Sequence, residues 1–467
     1  MKEKNMTIVH YMQHIIRPLF GTFHKEELKK FLRMGLIFSL IIGSFWTIGT
    51  LRNALFVTYV GIIHVPYAKT VSLLLLIPAI LGYSRLLDRY GREKVFYLFA
   101  LGSAVAVLFF GFFFLFFQNI THVSPHCCSA WLSFIICYLF FVFVECYGLL
   151  MTTLFWAIAS DITLPISATK GFPLVVALGQ IGGIVGPYFI NSLPRRLGFS
   201  TSAVSLFVSA VIIALLFYLM RNFFKNTPRE LLISYHGVNE KEEEKKNEAT
   251  FFEGIQLLLA HKYLLGIAAI IIFPEIITTI FDLHFHSLAA QQYTGEALVE
   301  YFGAHGSVVN GMTLLFLLCG ISNVTRILGI TAALVLMPIL YGAAIFGFVT
   351  LNSLPFLFFL MASSKAINYS LNGPAIKQLY IPTTHTVRFK TRAWMETFGS
   401  RGAREVGALF NMLLGPLQRN FGEIAGRARH AVFGGYFGIM LVIMWFCIAL
   451  FLGKKYKAAI EEKKVIC

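Results

Sequence analysis

Charge is scarce in this chain, and acidic charge is scarcest. Of 467 residues only 13% are Asp, Glu, Lys or Arg, with 23 acids set against 39 bases. A soluble globular domain carries about a quarter charged residues, so one water-facing globule is excluded. No G-x-x-x-x-G-K-[ST] phosphate loop occurs, which removes P-loop nucleotide hydrolysis from the candidate chemistries. The seven cysteines, Cys127, Cys128, Cys137, Cys146, Cys319, Cys447 and Cys467, make no CxxC pair and no metal-ligand spacing, so no metal or redox motif is expected. Adjacent Cys127 and Cys128 are the one place where oxidation in an outer loop is conceivable; the blander reading of the whole set is small apolar membrane residues. A cleavable signal is not expected either, because 33 mixed, charged residues precede the first long apolar run. A transit peptide is disfavoured by Glu3, Glu26 and Glu27 in that same segment.

What fills the chain is apolar. Hydrophobic residues make up 57%, and the mean hydropathy is +0.72. A spanning helix needs about 20 apolar residues, and such runs recur near 34–62, 67–87, 95–117, 131–159, 172–192, 201–220, 261–288, 306–322, 327–349, 352–371, 394–417 and 431–452. The expected fold is an all-α polytopic membrane protein of about twelve helices.

The formal charge of +16 does not point to nucleic acid, because of where the bases lie. Lys2, Lys4, Arg17, Lys25, Lys29, Lys30 and Arg33 precede the first run; Arg85, Arg89, Arg92 and Lys94 follow the second; Lys454, Lys455, Lys457, Lys463 and Lys464 close the chain. With twelve spans these fall on one side, which the positive-inside rule makes cytoplasmic. Arg195, Arg196, Arg419, Arg427 and Arg429 fall on the other, so the bias is strong without being complete.

One polar stretch, RNFFKNTPRELLISYHGVNEKEEEKKNEAT at 221–250, interrupts the pattern. Its charge run reads as a solvated tether. The expected organisation is a cytoplasmic segment at 1–33, a six-helix half at 34–220, a cytoplasmic linker at 221–260, a second six-helix half at 261–452 and a basic cytoplasmic tail at 453–467. Two such halves joined by a central loop resemble the major-facilitator plan, in which a midplane site lies between repeats.

Ionisable residues inside the runs are the candidates for function, since each costs about 2.5–3.5 kcal/mol at a helix centre on insertion scales. Arg52 lies about 27 Å along the first run from Met34 at 1.5 Å per residue, and Asp282 lies at a similar depth past Tyr263. A basic and an acidic group at matching depths are expected to pair when a site is empty. Glu145 sits midway along its run; Glu275, beside Pro274, competes with Asp282 as the key acid of the seventh run. His284 and His286, around Phe285, read as interfacial residues rather than metal ligands.

Positive charge concentrates over 365–404: Lys377, Arg388, Lys390 and Arg392 stand between the runs near 352–371 and 394–417, and Arg401 and Arg404 lie early in the second run. Guanidinium groups present planar, permanently charged forks that suit phosphate oxygens, so an anionic substrate is expected. Arg401 and Arg404, three apart, share a helix face. The segment GYSRLLDRYGR at 82–92 resembles the facilitator loop signature; its glycines serve a tight turn, and Asp88, Arg89 and Arg92 are expected to latch helix ends. In GQIGGIVGP at 179–187 the glycines fall three and four apart, the spacing for close helix packing.

Several separated blocks resemble the ATP/ADP translocases of intracellular bacteria and plastids: ELKKFL at 27–32, LFVT at 55–58, REKVFY at 92–97, Phe155-Trp156, YSL at 369–371 and YIP at 380–382. The resemblance runs from about residue 25 to about residue 415. It implies that LRNALFVT at 51–58 corresponds to a TKDTLVVT-like block, with Arg52 at the nucleotide-binding lysine and Asn53 at the aspartate. It likewise places Glu145 at the family's helix-four glutamate and Asp282 at the helix-seven glutamate. Arg388 to Glu396 stands at a KVKGKAAID-like block that includes Lys390 and Arg392. Acid or base is kept at each key place while the identity changes.

The resemblance implies a nucleotide transporter working by alternating access, with no enzymatic step, no cofactor and no metal. Arg52, Lys390 and Arg392 would meet phosphate, while Glu145 and Asp282 hold cations between cycles. A bacterial inner membrane is the expected location. Two other classes stay open: a proton-coupled carrier of another organic anion, such as a sugar phosphate or NAD, and a polytopic membrane enzyme acting on lipid phosphate. The last would want clustered acids or histidines at a membrane face, whereas the acids here are single.

Overall fold

In hydrocarbon every backbone N–H and C=O must find a partner within the protein, so isolated apolar runs fold as helices. The computed structural model describes residues 22–121, 127–199, 202–228, 256, 258–319, 329–351, 353–384, 391, 394–395, 399–462 and 466. Among the described residues every regular element is helical, and ten helices are long and apolar enough to cross a membrane. The protein is a multi-pass membrane protein.

In order, the helices are α1 (Lys25–Tyr59), α2 (Val65–Tyr90), α3 (Arg92–Thr121), α4 (Cys127–Asp161) and α5 (Pro165–Val185). After α5 the backbone continues through a π turn at Gly186–Ile190 into Asn191–Arg196, and α6 (Ala203–Asn226) follows. Next come α7 (Lys262–Gln292), α8 (Gly295–Leu318), α9 (Gly329–Leu351) and α10 (Leu354–Ile367), the last running through a π turn at Asn368–Asn372 into Gly373–Leu379. Then α11 (Ser400–Asn411) leads to a short helix at Leu414–Phe421, and α12 (Glu423–Glu461) follows.

Among the described residues, the runs near 352–371 and 394–417 are the two with no counterpart among the ten long apolar helices. The π turn interrupts the first, and the second breaks between Asn411 and Leu414. Helix ends outrun the apolar signal elsewhere. α1 begins at Lys25, where Glu26 and Glu27 in its first turn favour the positive end of the helix dipole. α12 extends to Glu461 through the start of the basic tail. The EKEEEKK run of the linker lies outside the described residues, as do the side chains of Cys127 and Cys128.

Contacts divide the chain into two compact units. The first comprises Met1–Val60, Leu74–Gly237 and Tyr293–Leu314; the second comprises Gly61–Leu73, Val238–Gln292 and Leu315–Cys467. At the centre of the first, α1 packs against α4, α5 and α6, and α3 packs on α6. Glycine makes the α1–α5 approach possible. A Cβ on Gly182 would fall onto the Ser39 carbonyl, and one on Gly186 would lie 2.6 Å from the Gly43 oxygen. The glycine ladder at 179–187 is therefore a packing surface. The α1–α4 register is fixed by the buried hydroxyls of Ser44 and Tyr147, 2.7 Å apart.

In the second unit α7 packs on α11 and α12, and α9 on α12. Asn411 donates to the Thr279 carbonyl at 2.9 Å, and a Cβ on Gly407 would sit 2.8 Å from Thr279. Trp445, fully buried, packs edge-on to Tyr341 with ring centres 5.3 Å apart.

Candidate functional site

Each unit holds its own cluster of intramembrane charge. In the first, Arg52 comes from the last third of α1 and Glu145 from the middle of α4. Arg52 Nη1 donates to Glu145 Oε1 at 2.5 Å. Its Nε and Nη2 both donate to Asn53 Oδ1, at 3.1 and 3.0 Å, so the neutral residue beside it holds the guanidinium plane. The guanidinium carbon lies 4.2 Å from the centre of the Phe141 ring, a cation–π distance. Phe141 and Glu145 are one turn apart on α4 and so present ring and carboxylate on one face. The Arg52 side chain is 11% exposed and Glu145 28%. This charge pair is largely withdrawn from water, with part of the Glu145 carboxylate side chain still at the surface.

Close by, Asn191 donates to the Thr50 hydroxyl at 2.7 Å, tying the helix after the α5 π turn to the turn of α1 that precedes Arg52. Further along the unit, Arg92 Nη1 pairs with Asp161 and so joins the start of α3 to the end of α4. Gly91, at φ +76°, makes the tight turn that places Arg92 there. Arg89 lies over the Tyr90 ring at 5.4 Å, and Asp88 is exposed. Among these three, the observed tie between helix ends is that of Arg92.

In the second unit, Lys365 of α10 donates to Asp282 of α7 at 2.7 Å. Glu275, two turns earlier on α7 and hence on a similar face, faces Arg404 of α11 at 3.5 Å. Glu405 accepts a hydrogen bond from the Thr70 hydroxyl at 2.5 Å. Arg401, one turn before Glu405, is partly exposed. His284 is buried with its ring 4.8 Å from that of Phe348, and no cluster of three or more His, Cys, Asp or Glu suited to a metal occurs among the described residues. Lys390, Arg392, Arg388 and Glu396 lie outside the described residues.

Arg52, Glu145, Glu275 and Asp282 are thus paired, each with a partner from its own unit. Asp282, expected to face Arg52, takes Lys365; Arg52 takes Glu145. Both Glu275 and Asp282 are engaged, so neither displaces the other as the acid of α7. Sequence reasoning passed over Lys365, Thr70 and Glu405. The signal for Lys365 was present: it is a lysine inside the apolar run at 352–371, and the criterion that singled out Arg52 applies to it equally.

Comparison with known proteins follows the same direction. The family model described as TLC ATP/ADP transporter matches residues 9–456. ADP,ATP carrier protein 1 of Rickettsia prowazekii (strain Madrid E) is 24% identical over 499 aligned residues, covering 96% of this chain and 97% of that protein. ADP,ATP carrier protein 3 of Rickettsia typhi (strain ATCC VR-144 / Wilmington) is 23% identical, with 86% and 89% covered. Among solved structures, the nucleoside transporter NupG matches with a TM-score of 0.58 at 14% identity, over 90% of this chain and 98% of that one. A bacterial homologue of the human lysosomal transporter Spinster, inward-facing and unoccupied, matches with a TM-score of 0.57 at 14% identity, over 94% and 99%. These structural likenesses show that the chain shares the fold of those two proteins.

Proposed function

The chain belongs to the TLC ATP/ADP transporter family, and on that footing we propose that it carries nucleotides of the ATP and ADP type across a membrane by alternating access, exchanging one for another. The observation that carries the reading is the Arg52–Glu145 pair, joined at 2.5 Å in an apolar helical setting and still partly open. A guanidinium is permanently charged and offers a fork that fits phosphate oxygens as well as it fits a carboxylate. An arriving phosphate competes with Glu145 for that fork. Exchange of one anion for another leaves Arg52 compensated throughout, which avoids the cost of an isolated charge.

Lys390 and Arg392 add positive charge for the remaining phosphates, and Asp282 holds a cation while the site is empty. A ligand shifts a conformational equilibrium only through its differential affinity for the two states. Trading Glu145 for phosphate supplies such a difference, because the freed carboxylate can then favour another arrangement of α4 against α1. Asp88, Arg89, Arg92, Arg401 and Arg404 serve as latches at helix ends, and residues 34–220 and 261–452 form the two moving halves. Concentration gradients drive the cycle; the chain hydrolyses nothing, needs no cofactor and binds no nucleic acid. Its location is a bacterial inner membrane, with both termini cytoplasmic.

The test is uptake of labelled ATP, GTP and NAD into cells expressing the protein, with and without preloaded nucleotide and a proton uncoupler. Uptake that requires internal nucleotide and ignores the uncoupler is the expected result. Uncoupler-sensitive uptake without preloading would replace exchange by proton-coupled import. Entry of none of the three would move the chain to carriage of another organic anion.

A further inference from the structure

Three features converge on Lys365. The first is energetic. A lysine within an apolar span costs about 2.5–3.5 kcal/mol to insert, and a pair with Asp282 at 2.7 Å does not justify that cost as a stabilising device, since well-packed apolar residues generally serve as well as a buried ion pair. The second is incomplete burial: the Lys365 and Asp282 side chains keep 19% and 18% of their surface. The third is the backbone. Immediately after Lys365, α10 changes to a π turn at Asn368–Asn372, followed by Gly373. Such π turns within helices concentrate at functional sites.

The neighbourhood has the charge pattern of a polyanion site. Arg404 and Glu275 stand at 3.5 Å, a loose pair by hydrogen-bond standards. Two bases, Lys365 and Arg404, are therefore gathered at these two carboxylates within one unit.

We propose that Lys365 is a phosphate-binding residue of the transport cycle: Asp282 holds its ammonium while the site is empty, and the polyphosphate of the nucleotide displaces Asp282. This rests on the nucleotide-transport reading above. An ammonium suits the exchange because its three donors rotate freely from carboxylate to phosphate.

The experiment is equilibrium binding of labelled ATP to detergent-purified wild type, Lys365→Gln, Lys365→Arg and Asp282→Asn, each checked for a monodisperse elution profile. Under the proposal Asp282 competes with the nucleotide, so the two neutral variants move in opposite directions. Lys365→Gln weakens ATP binding at least tenfold, Asp282→Asn binds as tightly as wild type or more so, and Lys365→Arg stays within a few-fold of wild type. The loss in Lys365→Gln is larger for ATP than for ADP. If Lys365→Gln does not fold, Lys365→Gln with Asp282→Asn leaves no unpaired charge and carries the same test, with weakened ATP binding expected. Equal weakening by both single variants, or unchanged ATP binding without Lys365, overturns the inference and leaves the transporter reading intact. Absence of ATP and ADP binding in the wild type overturns both.

Discussion

Replacing Arg52 with methionine tests the first charge cluster most sharply. The substitution keeps most of the apolar stem and removes four interactions at once: the 2.5 Å bond to Glu145, the two bonds to Asn53 and the stacking on Phe141. Breaking a fully buried pair costs about 3–5 kcal/mol because one charge is stranded. Glu145 is 28% exposed and partly solvated, so the expected loss of stability is smaller, about 1–3 kcal/mol, with an exposed pair at the lower bound. Transport should suffer separately. A hydrogen bond to a charged group contributes about 1.5–3 kcal/mol, which at about 1.4 kcal/mol per factor of ten predicts a fall in kcat/KM for ATP of about 10- to 150-fold. Arg52→Lys keeps the charge but loses the fork and the stacking, and should fall between wild type and Arg52→Met. Adding Glu145→Gln to Arg52→Met removes the stranded carboxylate, so the double variant should melt at a higher temperature than Arg52→Met while transporting no better. The assay is ATP uptake into proteoliposomes, normalised to folded protein and read beside thermal melting. Transport by Arg52→Met within a factor of three of wild type would refute the reasoning, as would full recovery of transport in the double variant.

Three further substitutions test the packing that positions this cluster. Gly182→Ala puts a methyl group onto the Ser39 backbone carbonyl, which cannot move aside as a side chain could, so the yield of monodisperse protein should collapse. Gly49→Ala meets nothing within 4 Å and should be neutral or stabilising by up to about 1 kcal/mol through helix propensity. Tyr147→Phe removes the α1–α4 bond to Ser44, whose hydroxyl keeps the Ile41 carbonyl at 3.0 Å. The expected cost is about 1 kcal/mol in melting experiments, with no change in which nucleotides are carried.

Composition and run length were enough to read a helical membrane protein, because hydrocarbon leaves the backbone so few solutions. The same logic picked out Arg52, Glu145 and Asp282, since a charge inside an apolar run stands out without any knowledge of the fold. Partners were a different matter. Glu145 is 93 residues from Arg52, and Lys365 is 83 from Asp282; which helices touch is a tertiary fact that periodicity does not carry. Lys365 itself was overlooked because it opens a long basic stretch and was read as part of it. Helix ends were blurred for another reason. α8 begins at Gly295, well before the apolar run near 306–322, because GEALVEYFGAH is polar yet helical, and hydropathy registers solvent rather than helix. The π turns at Gly186–Ile190 and Asn368–Asn372 share no residue pattern: the first follows a glycine ladder, whereas NYSLN holds no glycine.

Nucleotide exchange by the purified protein is the most direct test of the account. Proteoliposomes would be loaded with unlabelled ADP, with buffer alone, or with adenosine, and the entry of labelled ATP followed over time. The account predicts rapid ATP entry into ADP-loaded vesicles, little into the other two, and no effect of a proton uncoupler. ATP entry that is equal with and without internal ADP, or none under any loading, would contradict it.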